Sequence, residues 1–254
     1  MQFSDGAGHA SAPVFQGLKK PLRGMKKMAG QAAYYTKGEE IANSLTHGVA
    51  ALLSVAGLVV MVTFAALWSR SAVDVTAVAV FGASMIVLYT ASTLYHAVPR
   101  RKKRAKAILQ VFDHSSIYLL IAGSYTPFCL ITLGSTTMGW VLCIAEWLLA
   151  VVGIALQPIL MKRGDFLNCL IYLLMGWLVM LVIKPLVAAL PAGGIALLVA
   201  GGIAYSAGVF FYVKERIPFN HAIWHVFVFA GTLLQFLSVL LYVLPSTYVA
   251  AGAA

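Results

Sequence analysis

Residues 45–68 read LTHGVAALLSVAGLVVMVTFAALW, a run of 24 positions that holds no Asp, Glu, Lys or Arg. Crossing the hydrocarbon core of a bilayer takes about 20 apolar residues in an α-helix. A helix suits that environment because it pairs its own backbone N–H and C=O groups. The run is therefore predicted to span a membrane rather than to form the core helix of a water-soluble domain.

Six further stretches of the same kind follow along the chain. They lie at 75–98, 108–132, 138–160, 166–188, 194–213 and 219–244. The chain of 254 residues is 61% hydrophobic and 10% charged, whereas a soluble domain carries about 25% charged residues. We therefore predict an all-α fold, a bundle of seven transmembrane helices. The predicted organisation is a basic cytosolic tail at 1–38, a seven-helix membrane domain at 39–246 and a short C-terminal tail at 247–254.

Basic residues indicate the orientation of this bundle. Sixteen of the 18 Lys and Arg residues precede the first stretch or lie between stretches two and three, four and five, or six and seven. Only Arg70 and Lys184 fall on the other side. Short loops rich in Lys and Arg stay in the cytosol, so the N-terminus is predicted to be cytosolic and the C-terminus outside. G-protein-coupled receptors have the opposite orientation.

The same basic loops have a predicted partner. We expect them to contact the anionic headgroups of the cytosolic leaflet, and nucleic acid is not predicted as a partner. Retinal proteins are excluded as well, because they need a Schiff-base lysine in the last helix and residues 219–244 contain no lysine.

Five histidines lie near the predicted cytosolic ends of the apolar stretches. They are His47, His96, His114, His221 and His225. An ionisable residue within a membrane span is costly, and it marks a functional site by default. The orientation was derived from Lys and Arg alone, so the gathering of histidines at one side is an independent observation.

The spacing of three histidines indicates a metal site. His221 and His225 are four residues apart and share one helix face, as the two histidines of an HExxH helix do when they bind a metal. With His96 they form a three-histidine set, a known catalytic zinc arrangement with an open fourth position. Zinc is therefore the predicted cofactor, although imidazole also suits iron, nickel and copper. The alternative is that the histidines only hydrogen-bond neighbouring helices.

Two polar residues near these ligands are candidate catalytic groups. Ser92 lies four residues before His96, and Asp113 lies across the short basic loop at the same predicted depth. Asp113 is predicted to accept a proton from a metal-activated water molecule or to orient that water. Ser92 is predicted to bind the water or a developing oxyanion.

Four further residues are candidates for supporting the ligands. Glu40, Asn43 and His47 recur at spacings of three and four, so they share one helical face. The alternative is that they mark only the start of a helix with acidic residues in its first turn. His114 lies about 100° around its helix from Asp113, so both side chains cannot point at one metal.

Four strings contain these candidate residues: EIANSLTH at 40–47, STLYH at 92–96, FDHSSIYLLIAGSYTPF at 112–128 and HAIWH at 221–225. Together they resemble the hemolysin III family, the bacterial branch of the progestin and adipoQ receptor superfamily. The resemblance covers roughly residues 38–244. It implies seven helices, a multi-pass protein of the bacterial inner membrane and an intramembrane zinc near the cytosolic face. It also implies His96, His221 and His225 as ligands, with Asp113 holding the metal-bound water.

Three functions are compatible with the sequence. The superfamily is similar to alkaline ceramidases, which implies a zinc-dependent hydrolase that cleaves an amide or ester bond of a membrane lipid in membrane-lipid homeostasis. The second is a non-catalytic, receptor-like sensor or regulator of membrane state with a structural zinc. The third is a pore-forming haemolysin. Membrane lipid is the predicted substrate or ligand, and the oligomeric state is left open.

Overall fold

The computed structural model describes residues 35–69, 71–214 and 216–247, and within them every regular element is helical. Most of the predicted N-terminal tail and nearly all of the predicted C-terminal tail lie outside the described residues. The helices are α1 (Lys37–Trp68), α2 (Ala72–Ala97), α3 (Lys103–Pro127), α4 (Thr137–Leu160), α5 (Asp165–Gly176), α6 (Ile183–Ala189), α7 (Ala192–Val213) and α8 (Asn220–Ser238).

Seven helical segments of the described chain are long and apolar enough to cross a membrane, which confirms the predicted fold class. Single helices form most of them, whereas α5 and α6 together make the fifth. Large apolar side chains such as Leu52, Phe166 and Leu181 are exposed on the outside of the bundle. Such a surface suits contact with lipid acyl chains rather than water.

Helix α1 begins eight residues before the apolar stretch that predicted it. The Thr36 side chain accepts a hydrogen bond from the Glu39 N–H at 3.2 Å, and the Glu39 carboxylate accepts one from the Thr36 N–H at 2.7 Å. This reciprocal capping box starts a helix in polar sequence. Glu40, Asn43 and His47 therefore lie on one continuous helix, and all three are buried.

Three of the described spans change helix type along their length, and in the last of them a π-helical turn over Val239–Val243 follows α8. Pro127, which lacks a backbone N–H, ends α3, and a π-helical turn continues the span over Phe128–Thr132. The fifth span is interrupted after α5 by a 3₁₀ turn over Leu178–Val182, which hydrophobicity did not predict.

Tyr125 satisfies the backbone groups that this interruption leaves free. Its hydroxyl donates to the carbonyls of Met175 at 3.0 Å and Gly176 at 2.8 Å, and it accepts from the Val179 N–H at 2.9 Å. Irregular backbone at membrane depth is tolerated only where such partners are supplied. A side chain of α3 thus fixes the geometry of the fifth span.

The candidate site residues lie near the helix termini at one end of the bundle. We call it the basic end, and it comprises the loops 98–102, 161–164 and 214–219. Helices α1, α3 and α8 begin at this end, and α2 finishes there. Residues far apart in sequence therefore meet at one depth.

Close packing of α3 against α4 gives a test of the fold. Tyr118 is fully buried, and a β-carbon at position 153 would overlap its ring. We expect Gly153→Ala to lower the free energy of unfolding by about 1–3 kcal/mol, the usual cost of overpacking. Thermal unfolding in detergent measures it. Gly176→Ala is the matched control because nothing lies within 4 Å of the added methyl group; equal midpoints for both variants would contradict this packing.

Candidate metal centre

Three histidine side chains meet at the basic end of the bundle. His96 lies in the last turn of α2, and His221 and His225 lie in the first two turns of α8. One ring nitrogen of each histidine lies within 4.8 Å of the other two. All three side chains are buried. The structure thus brings together the three residues that the sequence predicted as metal ligands.

Two side chains of α1 contact the His96 ring. Its Nδ1 lies 2.8 Å from Glu40 Oε2 and 3.4 Å from the Asn43 side-chain nitrogen. A carboxylate accepts, so Nδ1 is the protonated nitrogen and Nε2 keeps its lone pair. That Nε2 is buried and has no hydrogen-bond partner among the described residues.

His221 and His225 are oriented in the same way. The Nδ1 of His221 lies 2.9 Å from the Tyr35 hydroxyl, and its Nε2 is buried without a partner in the described part of the chain. The Nδ1 of His225 lies 3.1 Å from the backbone oxygen of Asn43 and 3.1 Å from Thr46 Oγ1. A carbonyl oxygen only accepts, so Nδ1 of His225 carries the proton and Nε2 remains available as a ligand.

This arrangement fits a transition-metal ion. A buried polar atom without a partner costs free energy, and two unpartnered imidazole nitrogens face each other within the group. Metal-binding histidines commonly donate their second N–H to a carboxylate or carbonyl oxygen, which fixes the tautomer and the ring orientation. The donor set therefore suits zinc, and imidazole also suits iron, nickel and copper. None of the three cysteines, all of which are described, belongs to the group.

Among the supporting candidates, Glu40 and Asn43 hydrogen-bond two of the three histidines, whereas His47 stacks on a member of the same group. His47 stacks on His225 with ring centroids 3.5 Å apart and an interplanar angle of 12°. Both ring nitrogens of His47 are buried and unpartnered among the described residues, but the residue is not a member of the three-histidine group.

His114 lies away from the three ligands. Its Nδ1 is 2.9 Å from the Gln110 backbone oxygen, and its Nε2 is 3.5 Å from the Tyr212 hydroxyl. Its side chain therefore contacts its own helix and α7. It nevertheless lines the same cavity as Asp113.

A cavity of about 1060 Å³, including its open mouth, starts at the histidines. Residues at its polar end are Ser92, Asp113, His47, His221 and His225, and its remaining wall is mostly apolar. The Ser92 hydroxyl is buried without a partner among the described residues. Asp113 lies outside the group of mutually close ligand atoms, so it borders the centre as a wall residue. A second cavity of about 660 Å³ shares Tyr125, Trp177 and Gln235 with the first.

Sequence reasoning missed Tyr35, Thr46 and Lys106. Tyr35 and Thr46 contact ligand nitrogens, and Lys106 contacts Glu40 at 2.6 Å. Lys106 was counted only among the orienting basic residues. One signal could have identified it, because it lies seven residues before Asp113 and two helical turns place both on one face.

Comparisons with known proteins cover the whole of this site. Residues 35–236 match the family model described as Haemolysin-III related. The Hemolysin-3 homolog of Bacillus subtilis (strain 168) is 47% identical over 208 residues, which are 82% of this chain and 96% of that protein. Hemolysin-3 of Bacillus cereus is 45% identical over 208 residues, 82% of this chain and 93% of that protein. The human Monocyte to macrophage differentiation factor is 29% identical over 174 residues, which are 66% of this chain and 70% of that protein.

The ligand set can be tested by metal content. We expect about one zinc ion per wild-type chain, as for a three-histidine site with an open position, and a loss of about tenfold or more in His221→Ala/His225→Ala. Mass spectrometry of protein purified without chelators measures it. His114→Ala is the matched control, because it removes a buried histidine outside the group. Equal metal content in all three proteins would place the ion elsewhere.

Proposed function

This chain belongs to the haemolysin-III related family of multi-pass integral membrane proteins, and on that premise we propose that it is a zinc-dependent lipid hydrolase. In a bacterium its location is the inner membrane. The proposed reaction is hydrolysis of an amide or ester bond of a membrane lipid, and the proposed role is in membrane-lipid homeostasis.

One observation carries the proposal. The unpartnered nitrogen of His221 and the unpartnered hydroxyl of Ser92 lie at the polar end of a mostly apolar cavity, and His96 contributes a further ring nitrogen to the same group of histidines. Ligand sites are commonly lined by apolar side chains with a few polar groups that fix the orientation of the ligand, so this lining suits an acyl chain with a polar head. A lipid carbonyl at the head of that chain would then lie beside the ligands and Asp113.

The side chains suit attack of water on that carbonyl. A bound zinc ion would polarise the carbonyl and lower the pKa of a water molecule. Asp113 accepts the proton of the attacking water, and the Ser92 hydroxyl donates to the oxyanion as it forms. As the C–N or C–O bond breaks, the proton passes from Asp113 to the leaving amine or alcohol. The products are a fatty acid and the remainder of the lipid.

The charge distribution supports a cytosolic location for this site. The basic end holds the loops in which Lys and Arg gather, including Arg100, Arg101 and Lys102, which are exposed. Such loops favour the cytosolic side and anionic headgroups. A lipid bound with its headgroup there would present its first carbonyl close to the depth of His96.

The proposed base gives the sharpest test. We expect Asp113→Ala to lower fatty-acid release by about 10²–10⁴-fold, the usual contribution of a general base, while zinc content stays unchanged. The assay uses proteoliposomes that contain a fluorescent ceramide or a fluorescent phospholipid ester. Asp74→Ala, the same substitution at the opposite end of the bundle, is the control and should leave release unchanged.

Other outcomes would favour the other two functions. Release of no fatty acid by zinc-loaded wild-type protein, together with unfolding when zinc is removed, would indicate a structural metal and a sensor or regulator. Ion conductance in a planar bilayer that persists without zinc would indicate a pore.

A further inference from the structure

Lys106 is a buried cation next to the metal centre. Only 1% of its surface is exposed, whereas the other five basic residues of the segment 100–106 are exposed. Its Nζ donates to Glu40 Oε1 at 2.6 Å and to the Tyr95 carbonyl at 3.2 Å, and it lies 4.8 Å from the centre of the Tyr95 ring. Burying an ammonium group is expensive unless such partners surround it.

Glu40 links this cation to a proposed metal ligand. Its Oε1 accepts from Lys106, while its Oε2 accepts from Nδ1 of His96 at 2.8 Å. Arg100 also approaches Oε1, but at 3.7 Å and with 42% of its side chain exposed, so solvent screens that pair. Two contacts shorter than 3 Å thus join α3, α1 and α2.

We propose that Lys106 is a positioning residue of the metal centre, which acts on His96 through Glu40. Lys106 fixes one oxygen of the Glu40 carboxylate, so the other oxygen holds Nδ1–H of His96. Nε2 of His96 then faces His221 and His225. This inference rests on the metal centre of the proposed function.

The contact between Lys106 and the Tyr95 carbonyl helps to hold the ammonium group in position. The Tyr95 carbonyl lies in the last turn of α2, where a cation is favourable. Tyr95 immediately precedes His96 in the chain. The Tyr95 carbonyl thus holds the Lys106 ammonium group in place beside Glu40.

Zinc affinity of the full-length protein in detergent tests the proposal, measured by competition with a chelator. We expect Lys106→Met to weaken zinc binding about 10–100-fold, the usual effect of losing an outer partner of a metal ligand. Lys106→Arg retains the charge and should recover most of the affinity. Lys103→Met is the matched control, because Lys103 is an exposed lysine one turn earlier in α3 and its loss should change nothing.

A double variant distinguishes positioning through Glu40 from a general structural role. If Lys106 acts through Glu40, then Glu40→Gln/Lys106→Met should bind zinc as well as Glu40→Gln alone. The double variant removes both buried charges, so it remains informative if Lys106→Met does not fold. Weaker binding by the double variant than by Glu40→Gln alone would overturn the proposal.

The wild-type result separates this inference from the proposed function. Wild-type protein that binds zinc while Lys106→Met binds it equally well overturns only the role of Lys106. Wild-type protein that binds no zinc overturns the metal centre and, with it, this inference.

Discussion

The interior of a bilayer supplies no water, so the protein itself must provide a partner for each polar group that it buries. Helices meet this requirement for the backbone of all seven spans, and Tyr125 meets it where the fifth span is interrupted. Among the buried side-chain atoms that have no partner in the described part of the chain, those of His47, His221 and Ser92 line the polar end of one cavity, and that of His96 belongs to the adjoining group of histidines. This arrangement indicates a place for a ligand.

The candidate metal centre depends on how the ends of the helices meet. Two of its histidines come from α8 and one from α2, but the groups that orient them come from α1 and the residues just before it: Glu40, the Asn43 carbonyl and the Tyr35 hydroxyl. The capping box at Thr36 extends α1 into polar sequence and so supplies these groups at the right depth. Contacts of this segment with α2 and α8 therefore fix the orientation of the three imidazoles.

Sequence predicted the spans and singled out the three histidines that meet in the structure, because both depend on local pattern. Apolar runs near 20 residues give the helices, and the four-residue spacing of His221 and His225 gives a shared face. Contacts across helices are not encoded in any one segment. Only its seven-residue spacing from Asp113 distinguishes Lys106 from the basic residues before it. Hydrophobicity did not predict the 3₁₀ turn over Leu178–Val182. Orientation of the termini stays a prediction, since it rests on loop charge alone.

X-ray absorption at the zinc edge of the purified protein tests the central claim most directly. We predict three imidazole nitrogens at about 2.0–2.1 Å from the zinc ion and one further oxygen ligand, the pattern of a three-histidine site with an open position. Four imidazole ligands would contradict it, because His47 would then close the site and leave no position for water or substrate. Sulfur ligands at about 2.3 Å would also contradict it, since they would place the ion at the cysteines.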